Sequence, residues 1–302
     1  MTTPPSNPSP YFRRIVVGIE DHEQSRDALS LAAGLARTLG SELLVAAAIE
    51  YDPVPLGRQY YDAARAEHFA RIFASADEFL TDLPHRRFEL DREAPEAIER
   101  LAAEESADLI VIGSTHRGLF SRTVEGTVAD KLVGGRICPV LVASHGYAGR
   151  THAGLGTIGV GYDGGAESGR AMEVAEGFAA ALGCELKVIA AVPAFEDVPD
   201  PLRATRESTY RERVASARRK ITRVPAGEVV EFGDAAHVLA SQGLSVDFLV
   251  VGSHGRGRFM RTLMGSVVSE LTRIAPCPVL VVPDVHEPLD EAGETDRDRA
   301  GV

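Results

Sequence analysis

The chain is written twice, and a repeat of this length leaves few architectures open. The stretch IVVGIEDHEQSRDAL, starting at Ile15, aligns with IGVGYDGGAESGRAM, starting at Ile158, at an offset of 143. Residues 107–144 align with 246–283 without a gap at an offset of 139, and 17 of those 38 positions are identical. Both blocks close on CPVLV, from Cys138 and from Cys277. A solenoid module repeats every ~20–50 residues, so this unit is a duplicated domain. The fall in offset from 143 to 139 makes the second copy four residues shorter in its middle. The joint is SHGYAGRTHAGLG, residues 144–156, glycine-rich and without apolar periodicity.

Within each copy, short apolar runs alternate with segments of helical spacing. In the first copy RRIVVGI reads as a strand and SRDALSLAAGLARTLG as a helix closed by Gly40. ELLVAAAI follows as a strand, residues 60–81 as a long helix, and HRRFEL as a polar-flanked strand. Ala94-Pro95 opens the helix EAIERLAAEES, with proline at a first-turn position. DLIVIG, TVADKLVG and CPVLVAS complete the copy as strand, helix and strand. The second copy repeats the order with TIGVGY, SGRAMEVAEGFAAALG, ELKVIAAV, 202–222, EVVEF, 234–243, DFLVVG, SVVSELTRI and CPVLVV. This alternation predicts an α/β fold, an open parallel sheet covered by helices on both faces. The expected organisation is a disordered tail at 1–10, a first domain at 11–145, a linker at 146–156, a second domain at 157–284 and an acidic tail at 285–302.

Composition narrows the function classes. A formal net charge of −12 argues against a general nucleic-acid or anionic-membrane surface. No tryptophan is present, so stacking platforms for bases are poorly supplied. No apolar run reaches about 18 residues, and MTTPPSNPSPYF lacks the basic and apolar regions of a secretory signal. The three cysteines, Cys138, Cys184 and Cys277, form no CxxC pair. Reduced thiols in a cytoplasmic protein are the expectation. Cys138 and Cys277 stand at equivalent strand starts and are expected to be buried, whereas Cys184, after Gly183, is expected to be more accessible.

Sheets of this kind bind ligands at the carboxyl ends of their strands, where strand order reverses. Two loops of the second copy carry unusual residues there. One follows the first strand, Gly161-Tyr162-Asp163-Gly164, and the other follows the fourth, from Gly252 to Ser266. The spacing Gly252-x2-Gly255-x9-Gly265-Ser266 suits close approach of backbone N–H groups to an anion. Gly265-Ser266 sits where a helix begins, so free N–H groups and the helix dipole favour negative charge. Arg256, Arg258 and Arg261 can offset phosphate charge. A glycine-rich surface loop with solvated arginines accounts for the same residues, as a simple turn accounts for Asp163.

The pattern G-x2-G-x9-G-[S/T], after an apolar strand and before a helix ending in CPVLVV, resembles the universal stress protein family, as does VGYDG. The resemblance covers nearly all of both copies. It implies two tandem Rossmann-like domains, each a five-stranded parallel sheet of order 3-2-1-4-5, with ATP at the loops described. ATP is the implied cofactor, and a magnesium ion is compatible with it. Carried onto the second copy, the resemblance puts Asp163 on the adenosine moiety and Val192, at the end of the second strand, on the adenine. Val251 and Gly252 lie beside the nucleotide, and Gly255, Gly265, Ser266 and Val267 hold ribose and phosphates, mainly through backbone groups. The last strands are expected to pair the first domain with the second, and homodimers of that unit are compatible with the family.

The first copy departs from the pattern twice. Glu20 replaces Asp163 and His116 replaces Gly255, while Gly113, Gly126 and Thr127 survive and Ile49 stands for Val192. A side chain at 116 projects toward the phosphates and resists positive φ. The first site is therefore expected to bind weakly or not at all; the rival view makes His116 a cation that supports phosphate below about pH 6.5. Gly154-x-Gly156-x-x-Gly159 precedes a strand, so it is not a dinucleotide fingerprint, and neither a P-loop nor an HExxH pattern occurs. His254 and His22 read as a turn residue and an exposed residue. No general base or metal-binding carboxylate cluster for phosphoryl transfer is evident, so slow hydrolysis is the most chemistry expected. An adenylyl-transferring ligase would need a HIGH-like or SGGxDS-like motif, and neither appears. A ligand-free interaction domain fits the first copy better than the second.

Overall fold

The computed structural model describes residues 11–49, 58–91, 93–114, 128–135, 137–150, 155–193, 200–253 and 265–284. The first copy consists of β1 (Arg14–Ile19), α1 (Glu23–Leu39), β2 (Glu42–Ala48), α2 (Arg58–Phe79), β3 (His85–Leu90), α3 (Ala94–Glu104), β4 (Leu109–Gly113), α4 (Val128–Val133) and β5 (Val140–Ala143). The second consists of β6 (Thr157–Gly161), α5 (Ala166–Leu182), β7 (Glu185–Val192), α6 (Asp200–Arg218), β8 (Ala226–Phe232), α7 (Ala235–Gln242), β9 (Phe248–Gly252), α8 (Ser266–Ile274) and β10 (Val279–Val282). Both tails lie outside the described residues.

Residue type decides position in the sheet. The apolar runs LIVIG, VLVA, FLVVG and VLVV are buried on both faces and form its middle, while polar HRRFEL and AGEVVEF form its two edges. α1 and α5 are each 17 residues long. They stop identically, at Gly40 and Gly183, each with φ near 71° and an N–H returned to the carbonyl of Ala36 or Ala179.

Each copy has the five-strand order 3-2-1-4-5, with every neighbour parallel. The observed sheet is larger than either unit. β5 and β10 run antiparallel, pairing Val142 with Val279, Leu141 with Leu280 and Val140 with Val281. The result is one ten-stranded sheet, β3-β2-β1-β4-β5-β10-β9-β6-β7-β8. One face packs under α1, α2, α5 and α6, and the other under α3, α4, α7 and α8; each core runs through both copies. Because β5 and β10 are antiparallel, the strands of the two copies end at opposite margins of the sheet.

Further contacts lock the copies together. Tyr11 donates its hydroxyl to the Val174 carbonyl at 3.0 Å, and its ring occupies the space that a side chain at Gly177 would need. Phe12, Phe178 and Phe248 then continue edge to face at centroid spacings of 5.3 and 5.2 Å into the second core. Arg273 of α8 reaches Asp130 of α4 at 3.7 Å. Buried Asp27 accepts the N–H groups of Gly146 and Ala148 at 2.9 and 2.8 Å, fixing α1 to the connecting segment. Among the described residues, no helix is long and apolar enough to cross a membrane.

All three cysteines are free and buried. The expectation for Cys184 is corrected: it is only 2% exposed, because the left-handed Gly183 turns the chain so that its thiol enters the core. Burial pushes the thiols of Cys138 and Cys277 up to about 12 and that of Cys184 up to about 11. Very little thiolate therefore exists at pH 8, and the thiols are also shielded from reagents. Ellman's reagent at that pH is expected to leave the native protein untouched and to label all three thiols in denaturant. Rapid labelling of native Cys184 would contradict its placement.

Candidate functional site

The switch point of the second copy lies between β6 and β9. β6 leads through α5 to β7 on one side, while β9 lies on the other, with Val160 beside Val250. The carboxyl ends of both strands, Gly161 and Gly252, therefore stand together at the margin of the sheet. An extra carbon at Gly161 would meet the Val251 side chain at 3.2 Å, and one at Gly252 would meet Glu167 of α5 at 3.2–3.3 Å. Gly252 thus lets the first turn of α5 close over the end of β9, a packing role that exists whether or not a ligand is present.

Asp163 is exposed at the rim, and its carboxylate is held. One oxygen, Oδ1, accepts the Gly165 N–H at 2.7 Å and the Ser168 hydroxyl at 2.7 Å. The bond to the residue two places on is an Asx turn, and it fixes the side chain at the start of α5. The other oxygen has no protein partner among the described residues. Asp163 is therefore both a turn residue and an oriented acceptor.

On the opposite side, α8 starts without a side-chain cap. Gly265 sits in extended backbone before it and donates its N–H to the Ser253 carbonyl at 3.2 Å. That bond brings the two ends of the Gly-rich loop together. Ser253 is itself tied to β10, donating its N–H to Val282 at 2.9 Å. Ser266 is exposed, whereas Val267 packs its side chain on the core and leaves its backbone in the first helical turn. The first-turn N–H groups of a helix lack intrahelical acceptors, so this terminus suits an anion.

The remaining residues are placed as follows. Val251 is 5% exposed and belongs to the core beneath α7 and α8. Val192 ends β7, is fully buried, and gives its carbonyl to the Gly233 N–H at 2.9 Å. The side chain of Val192 thus presents no open surface for an adenine. Gly255, His254 and the three arginines of the loop lie outside the described residues.

The first copy is wired differently. Glu20 corresponds to Asp163 and Ser25 to Ser168, yet here Ser25 Oγ accepts the Glu20 backbone N–H at 2.7 Å. The Glu20 carboxylate, one methylene further out, lies 3.9 Å from exposed His22 instead. It is not held at the start of α1. Gly113 ends β4 under tighter packing than Gly252, since an added carbon would lie 2.4 Å from the Gln24 carbonyl oxygen. Ile49 is half-buried and donates its N–H to Leu90 at 3.0 Å. His116, Gly126 and Thr127 lie outside the described residues. An open pocket of about 380 Å³ borders Glu20 and His22, but its other walls are Arg26, Leu29 and Ile72 of α1 and α2. None of its lining comes from β4 or α4, so it is distinct from the switch-point crevice.

Sequence reasoning missed Ser168 as the residue that orients Asp163. A signal existed, since Ser25 and Ser168 are identical at the offset of 143. It also missed the packing role of Gly113 and Gly252, because closeness between a helix and a strand end leaves no mark beyond the glycine itself.

A model of the universal stress protein family matches residues 11–144 and 154–283. A universal stress protein of Mycobacterium tuberculosis is 33% identical over 181 residues, 58% of this chain and 61% of that relative. The chain thus spans about three fifths of the length of the first curated relatives it matches. A universal stress protein of Thermus aquaticus is 33% identical over 137 residues, 43% of this chain and 98% of its own length. Among solved structures, a universal stress protein of Archaeoglobus fulgidus superposes with a TM-score of 0.66 at 19% identity, covering 90% of this chain and 98% of that one.

Proposed function

Because the chain belongs to the universal stress protein family, we propose that it is a nucleotide-dependent stress-response regulator that holds ATP in the crevice of its second copy. The supporting observation is the oriented carboxylate of Asp163 on one wall of that crevice and the uncapped start of α8 on the other. Asp163 Oδ2 takes an adenosine hydroxyl or amino group, and the N–H groups at Ser266 and Val267 take phosphate oxygens. Gly252 and Gly265 keep the walls free of side chains, with Gly255 completing the loop. Bound ATP supplies phosphate charge that ties the loop between Ser253 and Gly265 to α8. A partner reads that state, and magnesium, where it accompanies the nucleotide, is carried by the phosphates. The first copy, with an unheld Glu20 and with His116 in the loop, contributes to the assembly rather than to binding. The same reading places the protein in the cytoplasm, active as the β5–β10 pair or as a homodimer of that unit.

Nucleotide released by denaturing the purified protein tests this. About one ATP or ADP per chain is expected, as for one preformed site. Asp163→Ala removes a charge-assisted bond of about 1.5–3 kcal/mol, so nucleotide affinity is expected to fall roughly tenfold to a hundredfold. Gly265→Leu is expected to abolish retention. Two nucleotides per chain would overturn the asymmetry between the copies. None, with no heat of ATP binding, would leave a ligand-free interaction protein.

A further inference from the structure

Two helices of the second copy meet at a trio of side chains that the nucleotide site does not use. Asp234 precedes α7 and caps it, its Oδ1 accepting the His237 N–H at 3.1 Å and lying 3.0 Å from His237 Nδ1. Glu270, in the second turn of α8, stands 3.9 Å from the same nitrogen. One donor atom from each residue lies within 4.8 Å of the others, and all three side chains are exposed. Arg273, one turn along α8, is directed to Asp130 of the first copy.

The first copy fills the same place with different charges. There Glu93 precedes α3, and Lys131 of α4 is the counterpart of Glu270 at the offset of 139. Lys131 and Glu93 pair at 3.1 Å, joining the two helices through a permanent ammonium. In the second copy a carboxylate replaces that ammonium. The carboxylates of Asp234 and Glu270 both face the same imidazole nitrogen of His237. An imidazole flanked by two carboxylates is also a donor set that suits a borderline divalent metal.

We propose that Asp234, His237 and Glu270 form a surface site for a zinc-class divalent metal ion, which clamps α7 to α8 where the first copy uses Lys131 and Glu93. Tetrahedral ligands at zinc stand about 3.4 Å apart, so small rotations of exposed side chains close the present spacing. Water completes the coordination. The hydrogen bond that Asp234 accepts from His237, and then the charge of Glu270, raise the His237 pKa. The site does not depend on the nucleotide assignment.

Zinc chloride is titrated into the full chain at pH 7.5 by calorimetry, with the parent, His237→Ala and Glu270→Lys. A saturable zinc site is expected in the parent, weakened about tenfold or more in each variant. Glu270→Lys installs the first copy's charge arrangement, so its circular dichroism and metal-free melting temperature are expected to match or exceed the parent's. The buried thiols leave this site without competition from native cysteines. Absence of zinc binding in the parent, or unchanged binding in both variants, overturns the site. So does magnesium binding with equal strength, which would mark a simple acidic pair.

Discussion

Replacing Leu280 with alanine is expected to lower the stability of the chain by about 2–5 kcal/mol, the range for deleting a buried leucine side chain. Leu280 is fully buried and directly opposes Leu141 across the only antiparallel pairing among the described strands. Both side chains enter the core shared by the two copies. Leu141→Ala is expected to cost a similar amount. The double variant then reads the joint itself. Residues in contact couple by about 0.5–3 kcal/mol, so the two losses should fail to add in urea denaturation. Strict additivity would mean that each copy holds its own core independently of the other.

The second large effect separates two glycines that look equivalent in the sequence. Gly113→Ala places a carbon 2.4 Å from the Gln24 carbonyl oxygen and 2.8 Å from its carbon, so the first turn of α1 must move. Overpacking of this kind costs about 1–3 kcal/mol or somewhat more. At Gly252 the added carbon meets Glu167 at 3.2–3.3 Å, which the end of α5 absorbs for about 1 kcal/mol. Thermal denaturation of the two variants measures the difference. Nucleotide content gives the opposite ranking, because Gly252 borders the proposed site and Gly113 borders the copy with the unheld glutamate. A Gly252→Ala protein that melts near the parent but has lost its nucleotide would distinguish binding from packing at this position.

Much of this was legible in the sequence because hydrophobic period and duplication are written in residue type. The runs LIVIG and FLVVG read as strands and HRRFEL as a polar-flanked strand, and the sheet places the first two inside and the last at an edge. The glycines that close α1 and α5 announced themselves by position. Other features depend on which side chain reaches which atom. The contrast between Asp163 and Glu20 was visible as one methylene, but the different use of Ser168 and Ser25 was not. The seating of Tyr11 over Gly177 joins residues far apart in the chain and leaves no local pattern. Cys184 misled because the left-handed backbone at Gly183, which turns its side chain into the core, is not visible in residue type. The Lys131-to-Glu270 exchange is plain in the alignment, yet its meaning needs α3 and α7 beside it.

The β5–β10 joint also sets the order in which the protein can be made. Leu141 and Leu280 are partners in the sheet but stand 139 residues apart in the chain. During synthesis at about 5–20 residues per second, the first copy waits roughly 7–28 s before its partner strand has been made. Throughout that interval β5, of sequence VLVA, is paired with β4 on one side and leaves its other edge without a partner. Two nascent first copies can meet there, edge to edge, before either has a second. Slowing translation between the copies should therefore raise aggregation without changing one residue of the finished protein. The duplication that gives the molecule its continuous core also makes its yield a matter of timing.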